Sequence, residues 1–159
     1  MKMNNFNCDS TVKQIAIDYF ENLGKQCGFT MTLDSAYTFN TFSHSDLKFT
    51  YNKNNKQYKY EIEIKERSGY TYEDFPDIMF NDKKLDYLIE QNKKGIRTYF
   101  LNVFKDYDAL LYKIDESTKF QTGISHQYKY TEKQCANKIN EIKIYLKKED
   151  GKRINLQLN

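Results

Sequence analysis

The stretch from Tyr58 to Lys65 constrains the fold more than any other part of the sequence, because apolar or aromatic side chains alternate there with charged ones at every position. Strict alternation is typical of a β-strand, whose successive side chains point to opposite faces of a sheet. One face carries Tyr58, Tyr60, Ile62 and Ile64, and the other carries Lys59, Glu61, Glu63, Lys65 and then Arg67. The sequence therefore predicts a strand with one face in a hydrophobic core.

An asparagine-rich turn precedes this strand and makes it the second arm of a predicted hairpin. Leu47 to Tyr51 has the pattern of the first arm, and residues 52–55 are mostly asparagine, which tolerates positive φ. With the turn centred on residues 53 and 54, position 46 lies opposite position 61, and position 44 lies opposite position 63. If the first arm extends back to His44, this side chain either contacts a phosphate or metal site or is a polar loop residue.

This register places Asp46 beside Glu61 and diagonal to Glu63. Three carboxylates at such short range repel one another unless a metal ion or a cationic side chain neutralises them. Lys65 follows Glu63 on the same face, so it would lie beside such a metal ion. The charged face is therefore interpreted as a site, and a solvated sheet surface is the alternative.

Helices and further strands surround the hairpin in the predicted order helix, strand, hairpin, helix, hairpin, hairpin. The helices are expected over residues 11–26 and 83–93, where apolar residues recur at helical spacing and a glycine follows or lies near the end. Strands are expected over residues 29–33, 96–104 and 109–114, and in a final hairpin that joins 140–147 to 153–158 around 149–151. Residues 115–137 show only a weak pattern, and Pro76-Asp77 is expected to lie in a loop before the second helix.

These elements predict one domain over residues 1–159, of the α/β class in its α+β form, with a central mixed sheet flanked by helices and an extra C-terminal hairpin. The 39% of hydrophobic residues excludes a disordered chain. Three well-separated cysteines predict reduced thiols rather than disulfides or a zinc cluster. No apolar run spans a bilayer and no secretion signal is present, so we expect a cytoplasmic protein without a membrane partner.

Asp46, followed by strand, turn, strand and Glu63-Ile64-Lys65, resembles the motif of the PD-(D/E)XK nuclease superfamily, whose core is the restriction-endonuclease-like fold. The helix before the motif and the helix-strand unit after it come in the order of that fold. Residues 80–88 and 99–104 are similar to the continuation in small phage-type members. The chain departs from the family pattern at Ser45, where the family has proline. Many members also supply a carboxylate from the first helix. Here the candidates are Asp18 and Glu21, and the alternative is that both are solvated helix residues.

The resemblance implies a Mg²⁺-dependent endonuclease that hydrolyses DNA phosphodiesters with a metal-activated water. Asp46 and Glu63 would bind Mg²⁺, or Mn²⁺ as its substitute, together with the backbone carbonyl of Ile64. Glu61 is either an extra ligand or a solvent-facing residue. Lys65 would orient or help deprotonate the attacking water, or stabilise charge on the phosphate.

Basic residues beside the motif indicate where DNA phosphates would bind. Arg67, Lys83 and Lys84, with His44, are the candidates, and the alternative for the two lysines is an ordinary solvated helix surface. The sequence has no glycine-rich phosphate loop, so no nucleotide cofactor is expected. Related folds often act on two strands as dimers, which makes a homodimer an expectation of the resemblance. For a phage protein, the host cytoplasm is the expected location.

Two other functions are compatible with the sequence. A catalytically silent protein of the same fold would bind DNA or a protein partner, for example as a phage anti-defence factor. A structural or assembly protein would instead expose its charged strand to solvent, with Asp46 and Glu63 pointing apart. A DNA-cleavage assay distinguishes the catalytically silent protein from a nuclease. The relative orientation of the Asp46 and Glu63 carboxylates distinguishes the structural protein from a nuclease.

Overall fold

Two sheets and two helices make up the part of the chain that the computed structural model describes, residues 10–34, 46–130 and 136–158. The helices are α1 (Ser10–Gln26) and α2 (Asp82–Lys93). The strands, in chain order, are β1 (Thr30–Leu33), β2 (Leu47–Lys53), β3 (Lys56–Glu66), β4 (Asp77–Asn81), β5 (Arg97–Val103), β6 (Asp108–Ile114), β7 (Gln121–Tyr130), β8 (Ala136–Lys147) and β9 (Lys152–Asn155).

The large sheet is mixed and has the strand order β1-β2-β3-β5-β6-β9. Strands β3 and β5 are parallel, and all other neighbours in this sheet are antiparallel. The connection between β3 and β5 contains β4 and α2, as a parallel pair needs a long crossover. The small sheet has the order β4-β8-β7. The expected α+β class with a central mixed sheet is therefore confirmed.

Helix α1 covers one face of the large sheet. Its apolar side buries Val12, Ala16 and Phe20 against β2 and β3, in the same cluster as Ile62 and Ile64. This apolar side was expected from the helical spacing, and the predicted bounds of the helix differ from the observed ones by one residue. The apolar face of the alternating strand thus lies in a core, as predicted.

The opposite face of the large sheet is also covered, by α2 and the small sheet. Leu85 and Leu88 of α2 pack in one cluster with Phe80 of β4 and Phe100 of β5. The charged face of β3 therefore lies partly under protein, and Glu61 and Glu63 are only 6% and 4% exposed. The alternative of a solvated sheet surface is wrong for these two carboxylates.

The C-terminal third differs from the sequence prediction. The hairpin expected around residues 149–151 is wrong, because β8 pairs with β4 and β7 in the small sheet whereas β9 pairs with β6 in the large one. The observed hairpin joins β7 to β8, and β7 lies in the segment that showed only a weak pattern. Asp77 begins β4 rather than lying in a loop, so the loop prediction fails for this residue.

Burial raises the pKa of Tyr51 and Tyr112 above the usual value of a phenol. The folded protein then keeps these phenols protonated at a pH where the unfolded chain ionises them. Their stabilising effect is complete below about pH 10, the value for an unfolded tyrosine, and is lost as pH rises above it, by up to ~1.4 kcal/mol per pH unit and group.

Tyr112→Phe should therefore flatten the alkaline fall in the free energy of unfolding between about pH 10 and 11. At pH 7 the variant should lose about 1 kcal/mol, because the Tyr112 hydroxyl donates to the Lys147 carbonyl at 3.1 Å. Urea unfolding at a series of pH values measures both effects. An alkaline slope equal to that of the unsubstituted protein would contradict the prediction.

Candidate functional site

The turn between β2 and β3 sets the register of the charged face. Asn54 and Asn55 both adopt positive φ, 51° and 61°, and form the turn. Lys48 consequently lies opposite Glu61. The predicted register, which placed Asp46 there, is wrong by two residues because the turn centres one residue later along the chain than expected.

The observed register brings Asp46, one residue before β2, to the backbone of residues 62–64 in β3. The backbone N–H of Asp46 donates to the Ile62 carbonyl at 3.1 Å. Asp46 Oδ2 accepts the N–H of Ile64 at 2.9 Å. Because the N–H and C=O of one strand residue point to the same edge, the Ile64 carbonyl lies on the side of Asp46. The two carboxylates and this carbonyl therefore come from neighbouring points of one hairpin.

Glu63 is a buried carboxylate with one satisfied oxygen. Its Oε1 accepts a hydrogen bond and ion pair from the ammonium of Lys84, in the first turn of α2. Its Oε2 is buried and has no hydrogen-bond partner among the described residues. Leaving a buried charged oxygen unpaired costs about 1–3 kcal/mol or more, so such an atom calls for a functional explanation.

Glu61 occupies a separate environment on the same face. Lys48 Nζ lies 3.5 Å from its Oε1, and the hydroxyl of Tyr87 from α2 hydrogen-bonds to it. Burial, and then the charge of Glu61, raise the pKa of Tyr87. The structure therefore does not bring Glu61 to Asp46 as expected, and gives it its own partners.

A pocket of about 290 Å³ opens beside Glu63. Its lining comes from β3, β4, α2, β5 and β8: Glu63, Lys65, Arg67, Met79, Phe80, Asn81, Lys84, Phe100 and Lys143. Lys65 is exposed, shares the face of Glu63, and makes no ion pair with the described residues. The structure thus places Glu63 and Lys65 in one pocket. Among the described residues, no group of three or more His, Cys, Asp or Glu side chains is arranged to hold a metal ion.

A larger groove of about 400 Å³ lies further along the same face of β1, β2 and β3. Its lining mixes the neutral polar residues Thr32, Thr50, Asn52 and Gln57 with apolar and charged ones. The charges near its end include Lys48 and Glu61, which already pair with each other. This groove is larger than the pocket of Glu63, but the carboxylate oxygen without a partner among the described residues is at the smaller pocket.

The predicted phosphate-binding residues separate in the structure. Arg67 is half-buried, with Nε donating to Asn102 Oδ1 at 3.0 Å and Nη2 donating to the Met79 carbonyl at 3.2 Å. Burial lowers the pKa of Arg67. These contacts fix its guanidinium between the two sheets, at the edge of the pocket. Lys83 is exposed and makes no ion pair with the described residues, and His44 lies outside them.

Sequence reasoning missed two residues in this part of the structure, Lys143 and Asn102, and the direct contact of a third. Lys84 was expected beside the cleft, whereas it contacts Glu63 directly. Lys143 of β8 is 7% exposed and lines the pocket, although alternation with Ile142 and Ile144 gave no sign of it. Asn102 is fully buried, with no partner for Nδ2 among the described residues. In the sequence, Asn102 stands out as an amide between the apolar residues Leu101 and Val103.

No family model matches the chain, and neither a curated protein nor a solved structure matches it. In the part of the chain that the structure describes, no helix has the length and apolar character needed to cross a bilayer. An assignment of function therefore depends on the geometry around Asp46, Glu63 and Lys65.

Proposed function

We propose that the chain is a metal-dependent nuclease of the PD-(D/E)XK type, which hydrolyses DNA phosphodiesters with Mg²⁺ or, in its place, Mn²⁺. One observation supports this above the others: the buried carboxylate of Glu63 has an oxygen with no partner among the described residues and lines a pocket together with Lys65, on the strand whose backbone Asp46 contacts. Burying such a group without a partner is destabilising. Ligand-binding sites commonly contain groups of this kind, whose partner is the ligand.

The proposed ligands have the donor chemistry of a Mg²⁺ site, whereas the pocket of Glu63 itself is lined by four cations and does not include Asp46. Glu63 Oε2, the Asp46 carboxylate and the Ile64 carbonyl are hard oxygen donors on one hairpin. Mg²⁺ is commonly held by one or two carboxylates and keeps several waters, so a small protein ligand set suits it. A bound Mg²⁺ would supply an acidified water and stabilise charge on the phosphate.

The chain's own residues would position the phosphate. Lys65 is exposed at the pocket, so its ammonium can donate to a phosphate oxygen or to the attacking water. Lys84, Lys143 and Arg67 add positive charge to the same pocket. Cations clustered in a cleft raise the local concentration of a polyanion, which favours DNA over a neutral substrate.

Incubation of the purified protein with supercoiled plasmid and Mg²⁺ or Mn²⁺ tests the proposal. Nicked and linear DNA should appear, and EDTA should prevent their formation. Lys65→Ala should slow cleavage about 100-fold, since it removes one donor to the developing charge. Lys59→Ala is the matched control, because Lys59 is exposed on the same face of β3 but outside the pocket. Cleavage that survives both Glu63→Ala and Lys65→Ala would contradict the site assignment.

A catalytically silent DNA-binding protein is the second candidate. It is favoured by the contact of Lys84 with Glu63 and by the four cations, Lys65, Arg67, Lys84 and Lys143, that line the pocket, since this arrangement suits an anion without any metal ion. In the plasmid experiment it would give no product but would bind DNA with an affinity that falls steeply with salt. The homodimer and the cytoplasmic location expected from the sequence stay predictions.

A further inference from the structure

The pocket of Glu63 has an excess of positive charge. Its lining contains one carboxylate, Glu63, and four cations: Lys65, Arg67, Lys84 and Lys143. The formal charge of the lining is therefore +3 (four cations less one carboxylate). A divalent cation that entered would be repelled by these side chains and would compete with Lys84 for Glu63. The lining thus does not fit a metal ion, whereas the same charges attract an anion.

Two of these cations are withdrawn from solvent. Lys143 is 7% exposed, and Arg67 is half-buried with hydrogen bonds to Asn102 Oδ1 and the Met79 carbonyl. These bonds engage two of the five N–H groups of the guanidinium, so they fix its position and leave other N–H groups to a ligand. Withdrawing cations from water is unfavourable unless negative charge compensates it, and a bound anion would add to the single carboxylate of the lining.

Helix α2 adds to the positive field of the pocket. Its N-cap, Asn81, lines the pocket, and so does Lys84 of its first turn. The N-terminus of a helix carries a partial positive charge, which favours an anion within the first turn. Asn81 Oδ1 already accepts the backbone N–H of Lys84 at 3.2 Å, so α2 acts here through its dipole and its side chains.

The shape and the charge of the pocket select among anions. Its volume of about 290 Å³ suits a small group, and the stacked, buried rings of Phe80 and Phe100 close one side. A phosphodiester inside a strand continues in two directions, whereas a terminal phosphate continues in one and can enter a pocket that is closed on one side. A phosphate monoester also carries about 1.5 to 2 negative charges at pH 7, against one for a diester, so it compensates the cations better.

We propose that the pocket of Glu63 is an anion site for a phosphate monoester, either a free one or the terminal phosphate of a nucleic-acid strand. Lys65, Arg67 and Lys143 would donate to its oxygens without a metal ion. Glu63 would lower the repulsion among the cations while the pocket is empty. This inference goes beyond the proposed function, because it concerns binding in the absence of a metal ion and does not depend on hydrolysis.

Isothermal titration of the full chain with methyl phosphate and with dimethyl phosphate, both in EDTA, tests the ligand class. Methyl phosphate is a monoester and dimethyl phosphate is a diester of similar size. We expect methyl phosphate to bind about tenfold tighter or more, since its second charge meets the excess of cations. Equal affinities, tighter binding of dimethyl phosphate, or no binding of either would overturn the inference.

Three variants test the residues. Lys65→Met should weaken methyl phosphate binding about tenfold and keep the fold, because Lys65 is exposed. Lys59→Met is the matched control, since Lys59 is exposed on the same strand but outside the pocket. Glu63→Gln should tighten binding about tenfold, because it removes the one negative charge of the lining. A thermal melt of each sample checks its fold. Weaker binding by Glu63→Gln, or an unchanged affinity of Lys65→Met, would contradict the anion site.

Blunt DNA duplexes of one sequence, with 5′-phosphate, 3′-phosphate or only hydroxyl ends, identify the source of the monoester. Tighter binding of a phosphorylated duplex than of the hydroxyl duplex, at one salt concentration and in EDTA, supports a strand end. Equal binding of the duplexes, with methyl phosphate still bound, supports a free monoester.

The outcomes also separate this inference from the proposed function. Plasmid cleavage with Mg²⁺ by a protein that binds no methyl phosphate overturns the anion site and leaves the nuclease. Methyl phosphate binding in EDTA without any plasmid cleavage supports the anion site and removes the nuclease.

Discussion

Glu63→Gln is expected to lower the rate of Mg²⁺-dependent DNA cleavage by roughly 10³-fold or more, equivalent to ~4 kcal/mol of transition-state stabilisation, without destabilising the fold. The amide has the shape of the carboxylate but is a poor ligand for Mg²⁺. The substitution also removes a buried negative charge whose Oε2 has no partner among the described residues. Lys84 loses its ion pair, but it is half exposed and can be solvated.

Initial rates of plasmid nicking and a thermal melt of the same samples measure both parts of this prediction. Glu61→Gln is the matched control, because Glu61 is equally buried on the same face but is held by Lys48 and Tyr87. It should show the reverse pattern, with cleavage retained and about 1–3 kcal/mol of stability lost. A Glu63→Gln variant that melts earlier and still cleaves DNA would mean that Glu63 is a structural residue.

Phe100→Ala is expected to give the largest loss of stability, about 3–5 kcal/mol, or roughly 6–20 °C in the melting temperature of a domain of this size. Phe100 of β5 is 1% exposed, and its ring stacks on that of Phe80 of β4 with centroids 4.0 Å apart and an interplanar angle of 14°. This pair joins the large sheet to the small one, so truncation leaves a cavity between them.

Urea unfolding of Phe100→Ala measures the effect, with Leu23→Ala on α1 as the control. Leu23 is 40% exposed, so its truncation should change stability by less than about 1 kcal/mol. A similar small change for Phe100→Ala would show that the small sheet does not pack on the large one as described. The prediction thus tests the cover over the charged face of β3, on which the buried state of Glu63 depends.

The local elements were predictable because their signals are local. Helix α2 begins at Asp82 after the cap Asn81 and ends before Gly95, as the sequence indicated. The register of β2 with β3 could not be predicted, because residues 52–55 include three asparagines and each of them tolerates the turn conformation. The predicted and observed registers differ by two residues and leave the same side chains on each face, so the alternation of β2 and β3 could not decide between them.

The cover over the charged face could not be predicted from β3 itself. Its pieces lie in β4, α2 and β8, and β8 is some 80 positions further along the chain. A charged side chain in an alternating strand looks the same in sequence whether it meets solvent or another sheet. For this reason Lys143, which alternates with apolar neighbours in β8, gave no sign that it reaches the pocket of Glu63.

The candidate oxygen ligands all belong to one hairpin, β2–β3, whereas Lys84 and Lys143 come from α2 and β8. If the chain has the proposed function, the positions of the oxygen ligands in the hairpin are more strictly constrained than those of the lysines in α2 and β8. Metal ligands must hold fixed positions, while a lysine needs only charge and reach. A lineage of such proteins can therefore acquire new substrates through changes in α2 and β8 and keep its hydrolytic chemistry unaltered in the hairpin.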